Sequence, residues 1–482
     1  MREIITDVAV IGGGSAGLNA YRAAKKHTDR VLLIEGGPWG TTCARVGCMP
    51  SKLLIAAAEA AHHYQTSAAF GIDPVSPPTI DGKRVMERVR RERDRFVGFV
   101  IESVEEIPSE DRIRGYARFI DNTTLMVDDH TRIVASRVVI ASGSTPAIPP
   151  GLEGLGDRLL VNDDLFEWED LPESVAVLGP GVIGLELGQA LHRLGVRVHM
   201  FGRDGALTAL TDPKVKAYAI NQFASEFPLQ VDSEVESIDR DGERVSVRYR
   251  KEQKTVTEHF DYLLVATGRV PNLQSLDLHN TGLALDARGL PQVDPYSLQC
   301  ENQPIFIAGD SNSQRPLLHE AIDEGNIAGD NAGRWPDVRA GERRAPIAVV
   351  FSDPQIAMVG QSYAQLQARY GSCNCFAIGE VSFEGQGRSR VMLKNRGLLR
   401  VYGEQGSGIL LGAEMIGPQA EHLAHLLAWS IQQRLTVSEI LKMPFYHPVI
   451  EEGVRTALRD LNHQLHIDPA MLAHCLDCGP GA

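Results

Sequence analysis

The chain has 482 residues, with 48 basic against 62 acidic side chains and a formal net charge of −14. Hydrophobic residues make up 43% and charged ones 23%, a globular balance that excludes disorder or collagen-like order for the whole. The length predicts several domains with their own cores, and the acidity argues against non-specific nucleic-acid binding or a basic membrane patch.

Residues 4–11 (IITDVAVI) read as a short buried strand, β-branched, apolar and ended by glycines. Gly12, Gly14 and Gly17 follow as GxGxxG and open a helical segment to about residue 26. A second strand is predicted at 30–35 (RVLLIE). The unit then recurs: a strand at 175–178, GxGxxG at Gly179, Gly181 and Gly184, a helix to about 194, and a strand at 196–201. Such glycines permit a tight turn, let the backbone approach a pyrophosphate and let helix pack on strand. The helix N-terminus offers free N–H groups to the phosphates. One copy is a weak signal. Two copies, each between predicted strands, point to two dinucleotide sites rather than to Gly-rich turns of another α/β fold.

The two units part at the ribose end. From Gly12, a step of 23 residues reaches Glu35, a carboxylate placed to accept from a ribose hydroxyl pair. From Gly179, the same 23 residues reach Gly202, followed by Arg203. The second site lacks the acid expected for NAD, and the Arg203 guanidinium can take a 2′-phosphate, which leans towards NADPH. Gly184 as third glycine is the more usual NAD pattern, and Arg203 also fits a solvated turn.

Cys43 and Cys48 follow the first unit in residues 40–52 (GTTCARVGCMPSK), and 52 to about 64 reads as helix. The pair is thus predicted at a helix N-terminus, where the dipole and free N–H groups favour thiolate. Seven cysteines are too few for a disulfide scaffold, so a close pair reads as catalytic or metal-binding before structural. A dithiol beside a dinucleotide site points to thiol–disulfide exchange. Zinc normally needs four ligands, and no second pair with matching spacing lies nearby, so no metal site is assigned; simple burial is the other alternative. No stretch approaches the roughly 18 apolar residues of a membrane helix. Residues 1–14 lack the basic and apolar blocks of a secretory signal, which predicts a cytoplasmic location.

In their order, these motifs resemble the FAD-dependent pyridine nucleotide–disulfide oxidoreductases over roughly residues 4–460. The set also includes 141–146 (ASGSTP, with Gly143), 266–272 (ATGRVPN, with Gly268), 308–310 (AGD), and His447-Pro448 followed by Glu452. Within the family the chain looks most similar to dihydrolipoyl dehydrogenase, through 50–52 (PSK), 181–186 (GVIGLE) and His319 before Glu320.

The resemblance implies an α/β fold: two Rossmann-like dinucleotide-binding domains plus a C-terminal α+β interface (dimerisation) domain. The expected bounds are 1–150 for the FAD domain, 151–272 for the NAD(P) domain and 273–345 for a return segment completing the FAD domain. The interface domain follows at 346–465 and a tail at 466–482. FAD would be held by Gly12, Gly14, Gly17, Glu35, Gly143, Asp310 and Lys52. NAD(P)H would be held by Gly179, Gly181, Gly184, Glu186, Arg203 and Gly268. Glu186 would pair with Lys52 near the flavin and nicotinamide rings. Cys48 would face the flavin and Cys43 would meet the substrate, the two being joined as a reducible bridge. His447, oriented by Glu452, would take and return the thiol proton.

A homodimer is implied, with each histidine serving the partner's cysteines. In 420–435, Leu423, Leu426, Leu427 and Ile431 form an apolar face for core or partner. The implied activity passes electrons between nicotinamide, flavin and a small or protein-borne disulfide such as a lipoyl group. No lipoyl domain is present, so a lipoyl substrate would be free or on another protein. The alternatives are an NADPH-dependent reductase of another disulfide or a metal ion, and a nucleotide transhydrogenase or diaphorase with incidental cysteines. A non-enzymatic scaffold is opposed by the retention of both cysteines, His447 and Glu452.

The chain departs from the family pattern at Thr41, usually Gly, and at Arg45, usually Asn. Arg45 beside Cys43 can lower a thiol pKa, favour an acidic substrate or face solvent. The family helix after Glu452 is expected to end near residue 461. The tail carries Cys475 and Cys478 after His474, a pair that can relay electrons from Cys43 of the partner subunit or be incidental. Cys373 and Cys375 share one face if they lie on a strand, where packing is favoured over metal binding. Cys300 stands alone and reads as structural.

Overall fold

The computed structural model describes residues 1–371 and 373–465. The first strand, β1 (Arg2–Ile11), is fully buried from Val8 to Ile11. It is apolar on both sides there because a parallel sheet is covered on both faces. β1 lies between β2 (Val31–Glu35) and Thr131–Ile140, parallel to both. The helix α1 (Ser15–Ala24) makes the crossover from β1 to β2. Thr131–Ile140 also takes Thr124–Val127 antiparallel at its start and Ile305–Ile307 parallel at its end. A strand three hundred residues downstream thus completes the sheet begun at residue 2.

The second unit builds a five-stranded parallel sheet in the order Leu229–Gln230, Arg197–Phe201, Ser174–Leu178, Tyr262–Val265, Leu159–Leu160. A three-stranded antiparallel sheet, Val235–Asp241, Arg244–Lys251 and Lys254–Phe260, is inserted before its Tyr262–Val265 strand. The third region is a five-stranded antiparallel sheet, in the order Ile347–Val350, Gln355–Gly360, Leu410–Gly417, Leu398–Glu404, Phe376–Ser382. Its cover includes the helices Ala420–Gln432 and Glu452–Gln464, which join it in one apolar cluster.

Two carboxylates lock the second region to the third. Asp212 and Glu414 are both fully buried. Asp212 accepts from Arg400 at 2.6 and 2.8 Å and from the Tyr402 hydroxyl at 3.0 Å. Glu414 accepts from the backbone N–H groups of Thr211 and Asp212 at 2.8 Å and of Tyr363 at 2.9 Å. Buried charges persist only when paired and hydrogen-bonded in this way.

Three local expectations shift. The helix predicted from residue 52 begins at Cys48 as α3 (Cys48–Thr66), preceded by the short α2 (Thr42–Val46). The helix after Glu452 runs to Gln464, one turn beyond the expected stop. On Ala420–Gln432, Leu423 and Leu427 are buried, but Leu426 is 39% and Trp429 65% exposed. The apolar face is therefore wider than the core it covers.

Candidate active site

The two glycine-rich turns have nearly the same backbone. Gly12 and Gly179 both lie in the left-handed region, with φ of +106° and +107°. A Cβ on Gly17 would stand 1.8 Å from the Gly12 carbonyl oxygen, and one on Gly184 would stand 2.0 Å from that of Gly179. Only glycine allows helix and turn to approach so closely. A Cβ on Gly14, at the head of α1, would meet nothing within 4 Å. This open cradle fits a pyrophosphate on the N-terminus of α1, and Gly181 heads the helix Val182–Arg193 in the same way.

At the ribose end, Glu35 closes β2, and its carboxylate accepts from the N–H groups of Gly13 and Gly37, each at 2.6 Å. Gly202, its counterpart, offers no side chain, and a Cβ there would stand 2.6 Å from the Pro180 ring. Arg203 is 89% exposed, and among the described residues its guanidinium meets only Asp204, at 3.2 Å. The other acid expected on the flavin side, Asp310, follows Ile305–Ile307 at the C-terminal edge of the first sheet. It accepts from Ser144 at 2.6 Å, and Arg269 donates to that same hydroxyl at 2.8 Å. Gly143 donates to Ser311 at 2.8 Å beside it. Gly268 has a φ of +126° and open space at its Cα.

Cys43 lies in α2 and Cys48 is the first residue of α3. Cys43 and Cys48 are not bonded to each other in this structure, and their thiols are close enough to act on one another's titration. The proton between them is not shared equally. The Cys43 hydrogen bond, the nearby Lys52 charge and the α3 backbone pull Cys48 down to about 7 against its burial. The hydrogen bond to Cys48 and burial hold Cys43 well above the usual thiol range. A coupled pair of this kind carries one negative charge near neutral pH, and the direction of the two shifts places it towards Cys48. Lys52, not Arg45, is the cation that acts on both sulfurs.

Lys52 is held in turn. Its ammonium meets Glu186 of the helix Val182–Arg193 at 2.7 Å and lies 4.6 Å from the centre of the Phe351 ring. The other Glu186 oxygen accepts from the Phe351 N–H at 2.9 Å. All three regions of the chain thus meet beside Cys48. The turn between the cysteines is pinned by Asn162, whose amide donates to the Val46 carbonyl at 2.8 Å. Thr41, where glycine was expected, has φ +58° and ψ 151°, a conformation that favours glycine, and its hydroxyl accepts from Ala44 N–H at 3.3 Å.

His447 is 80% exposed, and its Nδ1 lies 3.1 Å from Glu452. The histidine and the Val449 N–H hold the Glu452 carboxyl below its usual range, with Arg455, at 3.0 Å, adding to them. Among the described residues no hydrogen bond or ion pair joins His447 to either cysteine of its own chain. Cys373 and Cys375 correct the strand expectation. They precede the strand Phe376–Ser382 and are bonded to each other. Cys300 is fully buried, as expected of a structural residue. Cys475 and Cys478 lie outside the described residues.

Sequence reasoning missed Asn162, Ser144, Arg269 and Phe351 as parts of the site. Ser144 and Arg269 sat inside recognised motifs without a role. Phe351 contributes a backbone N–H, which has no residue signature.

Residues 6–325 match the family model described as pyridine nucleotide-disulphide oxidoreductase, and 347–458 match the dimerisation domain of the same family. The chain belongs to the pyridine nucleotide–disulphide oxidoreductases. Members of this family bind FAD and use NAD(P)H. The chain is 33% identical to a mercuric reductase of Shigella flexneri, over 94% of this chain and 80% of that protein. It is 29% identical to a dihydrolipoyl dehydrogenase of Chlamydia pneumoniae, over 96% and 98% respectively. In fold it is similar to LpdA of Mycobacterium tuberculosis (TM-score 0.80, 24% identity, 94% of this chain and 99% of that one). The Cu(II) complex of the HOCl-induced flavoprotein disulfide reductase RclA of Escherichia coli is also similar (TM-score 0.78, 24% identity, 97% and 100%). No helix among the described residues is long and apolar enough to cross a membrane.

Proposed function

We propose that this chain is an NAD(P)H:disulfide oxidoreductase that works through Cys43 and Cys48 on a small or carrier-borne disulfide, with a lipoyl group the best-fitting class. The observation that supports it most is the Cys48 thiolate at about 7 between Cys43 and the Lys52–Glu186 pair. FAD, when bound, passes two electrons between the nicotinamide and this cysteine pair. Lys52 stabilises negative charge beside Cys48, and Glu186 fixes Lys52 in place. For exchange, Cys43 loses its proton and attacks one sulfur of the substrate disulfide, whose other sulfur leaves as a thiol. Cys48 thiolate then attacks Cys43 Sγ, closing the pair and releasing the second thiol.

His447 carries the proton. Its exposed ring, oriented by Glu452, suits service to the cysteines of a partner subunit in a homodimer, and the exposed Leu426 and Trp429 supply apolar surface for that contact. The second site takes NADPH through Arg203 in preference to NADH.

A second reading, reduction of a soft metal ion at the same two sulfurs, is favoured by the identity to the Shigella mercuric reductase. The deciding experiment is anaerobic reduction by NADH and by NADPH, followed by turnover with lipoamide, oxidised glutathione, thioredoxin and mercuric ion. Turnover with lipoamide at least tenfold above the others supports the first reading. Mercuric ion as the only substrate replaces it with the second.

A further inference from the structure

We infer that Cys373–Cys375 is a second redox-active disulfide, opened and closed by exchange with a small dithiol. The bond joins residues two apart. A cross-link stabilises a fold by the length of chain it closes, and this one closes a ring over Asn374 alone, so it contributes less as a staple than a bridge across a longer loop. It also encloses a non-glycine residue in the left-handed region, Asn374 with φ +38°. A bridge with so little structural return is suited to being broken and remade.

The surroundings differentiate the two sulfurs. Cys373 is half-buried, Asn374 is exposed and Cys375 is 3% exposed. Cys375 packs with Tyr370, Tyr402 and Leu366, and its carbonyl accepts from Gln405 N–H at 2.8 Å. Asn374, between the two cysteines, lines a cleft of about 790 Å³ together with Tyr370, Phe376 and the charged Lys214, Glu380, Arg400 and Asp460. A lining that mixes aromatic and charged side chains suits a small amphipathic dithiol.

The chemistry balances with two electrons and two protons. One thiolate of the dithiol attacks the Sγ of Cys373, the less buried of the two residues; the S–S bond breaks and Cys375 leaves as thiolate, taking a proton. The dithiol's second sulfur attacks the mixed disulfide, releases Cys373 as a thiol and closes the reagent into a cyclic disulfide. The dithiol is oxidised and the bridge reduced. Resting on the function proposed above, the dithiol made at Cys43 and Cys48 is the electron source, which makes this bridge an internal acceptor on the third region.

The test uses the full-length flavin-loaded protein and mass mapping of the peptide 370–388 after alkylation under native conditions. Before reduction the peptide is expected intact and bridged. With dihydrolipoamide it is expected to carry two alkyl groups, both in the wild type and in Cys43→Ser. With NAD(P)H plus catalytic lipoamide it is expected to open in the wild type only. In Cys375→Ser, Cys373 is expected to form at least tenfold more lipoamide adduct than Cys375 does in Cys373→Ser. A bridge that resists dihydrolipoamide until the protein is denatured, or a peptide alkylated in the oxidised protein, overturns the inference. Opening by dihydrolipoamide but not by NAD(P)H plus lipoamide in the wild type upholds the bridge and overturns the lipoyl function instead.

Discussion

The two glycine-rich units are the same device fitted to different ends. Up to the third glycine they coincide: equal left-handed turns at Gly12 and Gly179, and helix-to-turn contacts that forbid a Cβ at Gly17 and Gly184. At the ribose end they diverge. Glu35 is fixed by two backbone N–H groups, whereas Gly202 is packed against Pro180 and leaves Arg203 loose in solvent. Close packing dictates the part common to all dinucleotides. The choice among them falls to the residue just past the second strand, which packing leaves unconstrained.

The most damaging way to break the likeness is at the third glycines. Gly17→Ala is expected to abolish flavin retention, read as loss of the visible spectrum of the purified protein. Gly184→Ala is expected to keep flavin and lower the rate of reduction by NAD(P)H by at least a hundredfold. The ribose end should respond less. Arg203→Ala is expected to raise KM for NADPH about tenfold or more and leave that for NADH unchanged, since a charge-assisted contact contributes about 1.5–3 kcal/mol. An unchanged ratio between the two nucleotides counts against a 2′-phosphate site. Where the units meet the cysteines, a pH titration of the reduced enzyme sharpens the comparison. Lys52→Ala should move the Cys48 midpoint up from about 7, because a cation is lost. Glu186→Gln should move it down, because the carboxylate opposes the thiolate. The smallest effect is at the turn before Cys43. Thr41→Gly should stabilise the protein by about 1 kcal/mol, as relief of the left-handed backbone outweighs the lost cap; chemical denaturation measures it.

What was readable in the sequence was whatever chemistry is encoded locally. Both glycine motifs, Glu35, and the cysteine pair at a helix start needed only neighbouring residues to be recognised. The Lys52–Glu186 pair was reached through resemblance, since nothing local links residues 134 positions apart. The contacts that escaped are non-local and residue-neutral: the Phe351 N–H on Glu186 and the Val46 carbonyl under Asn162. Cys373 and Cys375 escaped for a different reason. Alternation puts two residues on one face only within a strand, but Asn374 takes a left-handed turn, which brings the two sulfurs together before the strand begins.

The measurement that goes most directly to the central claim is the pH dependence of the long-wavelength thiolate–flavin absorbance in the anaerobically reduced protein. A folded-state pKa lowered to about 7 means the band should be full above that pH and fade as pH falls through it. Cys48→Ser should abolish the band, and Cys43→Ala should keep it but move its midpoint upward, because the hydrogen bond that most lowers Cys48 is gone. A band that survives Cys48→Ser, or no band at any pH in the wild type, contradicts the assignment of the thiolate to Cys48.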